Sequence, residues 1–266
     1  MTWIAALPMY NVSAALAADW RTLLRRVSRV LGANGIDIHI TEPGDDLHAF
    51  WRRADLAISQ TCGYPLMHGL REHVQLIATP HFDAPGCEGT NYRSVLVTGG
   101  HVSAQTLEAC RGLRAAYNQD DSNSGMNVLR HAATPLSRDG AFFGSVLRTG
   151  SHIGSLRALA HGNADIASID CVTMAFVRDH LPDLARSVRE IGFSAASPGL
   201  PLIASRAAPE ALVEQIRAAL RDAIDSDTSL ARRLRLKGFS TLSLADYARI
   251  EQWEDEARAA GYPRLG

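Results

Sequence analysis

From Ala14 to Leu31 the apolar residues Leu16, Trp20, Leu23, Leu24, Val27 and Leu31 recur at helical spacing, with charged and small residues between them. That stripe predicts one long amphipathic helix. Before it, TWIAAL (2–7) reads as a strand, and after it IDIHI (36–40) alternates as a second. ADLAISQ (54–60) and VQLIATP (74–80) read as short buried strands with a helix, YPLMHGLREH (64–73), between them, and RSVLVT (93–98) as a strand closed by Gly99 and Gly100. Then follow a short helix TLEACRGL (106–113), a strand RAAYNQ (114–119), and helices SGMNVLRHAAT (124–134) and HIGSLRALAHG (152–162). ADIASID (164–170) is a strand and CVTMAFVRDHL (171–181) a helix, with VREIGFS (188–194) and LPLIAS (200–205) as further strands. Helices over 209–224 and 243–261 end the chain. Strand and helix periods alternate throughout, which predicts an α/β fold.

Charge and composition narrow the function classes. Formal net charge is -1 over 266 residues, so there is no basic field of the kind a nucleic-acid surface needs. Lys237 is the sole lysine, which removes a Walker phosphate loop while leaving phosphate binding by backbone amides open. No apolar run is long enough to span a membrane, and the first residues lack the basic and apolar segments of a secretory signal. Read literally, the chain is expected in the cytoplasm, or in the periplasm if a leader has been removed. Cys62, Cys87, Cys110 and Cys171 form no CxxC pair and read as isolated thiols in or near the core. His68, His73 and His81 do not make HExxH, so no metal site is expected, and no pattern implies a cofactor.

Two hydroxyl-rich stretches carry the candidate chemistry: NQDDSNSGMN (118–127) and GSHIGS (150–155), each leading into a helical pattern. A helix start has unpaired amides and a partial positive charge, which suits an oxyanion without any lysine. Ser122, Asn123 and Ser124 are good caps and extra donors, Gly125 permits close backbone approach, and Ser151 and His152 offer the same at the second start. For the first stretch alone, a plain helix cap explains the residues as well as an anion site does. Tyr10, ending the first strand, lies where ligand-facing loops begin in open α/β sheets, although core packing explains it equally.

Four stretches in order, YRSVLVT from Tyr92, AAYNQDDSNSGMN from Ala115, TGSHIGSLRALAHGNADIASID from Thr149 and SPGLPLIAS from Ser197, resemble the phosphate/phosphonate-binding proteins of ABC transporters. The resemblance implies an α/β, two-lobed type II periplasmic-binding-protein-like fold with two hinge strands. Lobe I would comprise 1–95 and 196–266, and lobe II 96–195, with crossings in RSVLVT and EIGFSA. It further implies a small anionic ligand in an interlobe cleft, with Tyr92 donating to an anionic oxygen and Asp170 facing an amine on the ligand. A transporter permease is the implied partner, with no nucleic acid and no membrane insertion. Asn123 stands where the family typically places a hydroxyl, which changes the donor set. The expected function is solute binding without catalysis. The alternative is a cytosolic enzyme on the same fold, of menaquinone- or thiamin-precursor type, with His152 as general base or nucleophile.

Overall fold

The computed structural model describes residues 2–266. In chain order its strands are β1 (Trp3–Ala5), β2 (Ile38–Ile40), β3 (Leu56–Gln60), β4 (Val74–Phe82), β5 (Asn91–Tyr92), β6 (Ser94–Gly99) and β7 (Arg114–Tyr117). They continue as β8 (Ser145–Arg148), β9 (Ile166–Asp170), β10 (Val188–Phe193), β11 (Ser197–Pro198), β12 (Leu202–Ser205) and β13 (Leu236–Ser240). The chain forms two compact units. Unit one comprises Met1–Asp83, Glu88–Thr90 and Pro198–Asp246; unit two comprises Ala84–Cys87, Asn91–Ser197 and Tyr247–Gly266.

Unit one is built on a sheet of order β13-β4-β12-β3-β1-β2. β1 runs parallel to β2 and β3, and β12 and β13 enter antiparallel. The helix Ala14–Ala33 begins at Ser13, whose side chain accepts from the Leu16 amide, and it buries the predicted stripe of Leu16, Trp20, Leu23, Leu24, Val27 and Leu31. Its partner is the helix Glu210–Asp225, which buries Leu212, Val213, Ile216 and Leu220. Each leucine or valine so covered contributes about 1.5–3 kcal/mol. The helix expected over 64–73 is instead a short turn of α-helix, Gly63–Pro65, running into a π-helix at Leu66–Leu70.

Unit two carries a sheet of order β10-β6-β9-β7-β8, with β7 parallel to both β8 and β9 and antiparallel pairs at β6–β9 and β6–β10. β9 is buried at every position, and its end delivers Asp170 to the next helix. Two boundaries differ from expectation. Both β6 and β10 lie inside unit two, so the chain changes unit near 90–91 and 197–198 rather than within RSVLVT and EIGFSA. The C-terminal segment from Tyr247 also belongs to unit two, not to the first lobe. Ile250, Trp253 and Ala257 of the helix Arg249–Ala259 are buried there, and the Ile250 carbonyl accepts from Asn127 Nδ2 at 3.0 Å. Among the described residues no helix is long and apolar enough to cross a membrane.

Candidate functional site

Both hydroxyl-rich stretches lie in unit two, and both open helices. The first opens as a π-helix, Asn123–Asn127, that passes directly into α-helix at Val128–Ala133. The wide turn is visible in the Asn127 amide donating to the Ser122 carbonyl at 3.0 Å, five residues back. Ser122 caps it as the pattern predicted, its Oγ accepting from the Gly125 amide at 3.0 Å. π-turns are rare, and where they occur they often mark functional sites.

Side chains hold this wide turn in place. The Ser124 carbonyl accepts from Ser94 Oγ on β6 (3.0 Å) and from Ser168 Oγ on β9 (2.7 Å). Asn123 is fully buried, and its Nδ2 donates to the Tyr92 hydroxyl (3.1 Å) and to Ser197 Oγ (3.0 Å). Its Oδ1 accepts from Asn127 Nδ2 at 3.1 Å. Asn127 Oδ1 in turn accepts from Arg130 Nη2 at 2.7 Å, and Arg130 Nη1 donates to the Pro263 carbonyl at 2.9 Å. A buried polar chain therefore runs from Tyr92 through Asn123, Asn127 and Arg130 to the C-terminal segment. The Asn123 side chain, expected as a donor to ligand, donates to Tyr92 and Ser197 and so positions both.

The second stretch opens the helix His152–Ala160. Ser151 caps it, with Oγ accepting from the Gly154 amide at 2.9 Å. The two helix starts meet: Ser124 Oγ and His152 Nε2 are hydrogen-bonded at 2.8 Å. Gly125 sits in the same corner. A Cβ there would lie 1.9 Å from Asn118 Oδ1 and 3.3 Å from His152 Cε1, so glycine is what lets the turn come so close. Asn118 Oδ1 and His152 Nδ1, around that glycine, are buried atoms without a hydrogen-bond partner among the described residues. Buried polar atoms left unpaired are uncommon and point to an unfilled role. Burial of the ring also pushes the His152 pKa down to about 4, so the imidazole is neutral at pH 7.

Asp170 and Tyr10 each have structural partners. Asp170 is buried as the N-cap of the helix Cys171–His180, with Oδ1 accepting from the Val172 amide (2.7 Å) and the Thr173 amide (3.0 Å). Tyr10 lies in unit one, its ring packed against Phe82 at 5.3 Å and Trp20 at 6.4 Å. The pattern did not single out Asn118, Asn127, Arg130, Ser94, Ser168 or Ser197. The one available signal was Arg130, a charge on the face of a helix otherwise apolar enough to be buried.

Two α/β units, the second carrying this polar corner, define a type II periplasmic-binding-protein fold. The chain belongs to the family described as "ABC transporter, phosphonate, periplasmic substrate-binding protein", whose profile matches residues 4–247. That family is the substrate-binding component of a transporter, not an enzyme, and its description places its members in the periplasm. Among solved structures, the chain is similar to PhnD1 of Prochlorococcus marinus in complex with methylphosphonate. The TM-score is 0.80 and the identity 12%, over 97% of this chain and 98% of that one. A binding protein component of an ABC phosphonate transporter from Pseudomonas aeruginosa gives a TM-score of 0.77 and 19% identity, over 97% and 87% of the two chains. The alkanesulfonate-binding protein SsuA of Xanthomonas axonopodis pv. citri, bound to MOPS, gives 0.66 and 16%, over 98% and 93%. No curated protein sequence matches the chain.

Proposed function

We propose that the chain binds a small solute bearing a phosphate or phosphonate group, and that unit two holds the oxyanion where its two helix starts meet. The single observation that carries this reading is the Ser124–His152 hydrogen bond of 2.8 Å, which joins the two starts into one corner. Donors there are the Ser151 hydroxyl, the early amides of both helices, and the Ser124–His152 pair, which with a neutral ring spends one proton on its own bond and has one left to give. Ser122 shapes the first start by capping it, and Asn123 holds Tyr92 against it. In the transport role of the family, the loaded protein delivers its solute to a membrane permease.

Isothermal calorimetry against inorganic phosphate, methylphosphonate and 2-aminoethylphosphonate tests the reading. Saturable one-to-one binding of at least one of them at micromolar concentration is expected. Folded protein that binds none of the three at millimolar concentration overturns it. The ratio of the two phosphonate affinities reports whether Asp170 reads an amine in addition to capping its helix.

A further inference from the structure

Two of the cysteines are not isolated. Cys87 and Cys171 stand 84 residues apart in sequence, yet their Sγ atoms lie 3.4 Å from each other. Both are free thiols, Cys171 buried and Cys87 half-buried. The segment Ala84–Cys87 belongs to unit two, although the chain on both sides of it belongs to unit one. Its approach to Cys171 is built into the backbone. The Cys87 amide donates to the Ala84 carbonyl at 3.0 Å, closing a turn with Gly86 at φ +97°. A Cβ at Gly86 would lie 2.9 Å from Phe193 Cε1 and 3.1 Å from Cys171 Cβ, so only glycine leaves room for this path. Cys171 is fixed from its own side: its amide donates to the Arg93 carbonyl at 3.1 Å, and Asp170 caps the helix it begins.

We propose that Cys87 and Cys171 form a reversible disulfide that ties the 84–87 segment to the start of the helix Cys171–His180. The sulfurs need to close from 3.4 Å to about 2.05 Å. The oxidant is a disulfide-bearing donor, which reacts by two exchanges. The Cys87 thiolate, the more accessible of the two, attacks one donor sulfur and expels a donor thiolate, leaving a mixed disulfide on Cys87. The Cys171 sulfur, whose thiol the adjacent Cys87 sulfur, burial and Asp170 push up, then attacks the Cys87 sulfur and forms the internal bond as its proton passes to the second donor sulfur, which leaves as a thiol. Two protein thiols are oxidised and one donor disulfide is reduced to two thiols. Cys110 is engaged elsewhere: its thiol is buried and donates to the Thr106 carbonyl. A periplasmic setting, as in the family's description, is an oxidising one.

The test incubates the full chain with oxidised glutathione, quenches with acid, denatures, alkylates free thiols and reads intact mass and peptide linkage. Two of the four cysteines are expected to escape alkylation, joined as a peptide pair containing Cys87 and Cys171, and dithiothreitol should restore them. Cys62→Ser and Cys110→Ser should leave the bridge unchanged, and Cys87→Ser should abolish it. Closing so long a loop should raise the melting temperature of the oxidised chain by roughly 5 °C. Three outcomes overturn the proposal: four thiols alkylated after oxidation, a bridge that includes Cys62 or Cys110, or a glutathione adduct on Cys87 that never resolves.

Discussion

Replacing Arg130 with alanine is expected to destabilise unit two by about 3–5 kcal/mol, the range for removing one partner from a buried charged network. The side chain is 5% exposed, and its fork serves two acceptors, Asn127 Oδ1 and the Pro263 carbonyl, with Glu254 Oε2 at 3.9 Å. Alanine leaves those acceptors buried without a donor and removes the long side chain packed between them. The loss then passes along the chain of bonds, because Asn127 also holds Asn123, and Asn123 holds Tyr92. Arg186→Ala is the control: its ion pair with Asp183 is exposed on both sides, so the change should stay within about 0.5 kcal/mol. Urea unfolding followed by fluorescence and by far-UV dichroism reads both. An Arg130→Ala midpoint equal to that of Arg186→Ala would show that the network carries no stability.

That network was invisible in the sequence for a physical reason. Helical stripes such as Leu16 to Leu31 declare themselves because burial repeats locally every three or four residues. The order of short motifs around Tyr92, Ser124, His152 and Asp170 was equally legible, and it led to the family whose profile spans residues 4–247. The identities of the caps could be read too, since Ser122 and Ser151 each satisfy an amide three residues on. Asn123 could not be read in the same way. Its role depends on Ser197, 74 residues away, and Asn127 depends on Ile250, 123 residues away. No local pattern encodes such a partner, nor the wide turn that those bonds hold open. The tail shows the same limit: Ile250, Trp253 and Ala257 announce an apolar face, but not the unit that covers it. The edge strand Ser145–Arg148 is exposed along its length, so its alternation had no buried side to report.

Acidification supplies the other large effect, and it turns on His152. Its pKa falls from an ordinary 6.5 to about 4 because the folded chain strips water from the ring. Above pH 6.5 the imidazole is neutral whether the chain is folded or unfolded, and it contributes nothing to the pH dependence. Between 6.5 and 4 the unfolded chain takes up this proton and the folded chain does not, so stability falls as pH falls. At ~1.4 kcal/mol per pH unit the loss reaches about 3 kcal/mol by pH 4. The measurement is the difference between wild type and His152→Gln in urea midpoints from pH 7 to 4, which isolates this ring. The gap should move in the variant's favour by that amount. A constant gap would show that the ring is not held neutral. The same pair of proteins decides how the ring serves an anion. If it acts as a neutral donor beside Ser124, His152→Ala and Ser124→Ala should each weaken methylphosphonate binding by about 10–100-fold, the worth of a hydrogen bond to a charged group. The double variant should lose less than the product of the two, since the 2.8 Å bond makes them one unit. His152→Gln, which keeps a donor but cannot become a cation, should then retain part of the affinity. Gln behaving like alanine, with losses that simply multiply, would mean that the ring acts through its charge or its shape and not as a neutral donor.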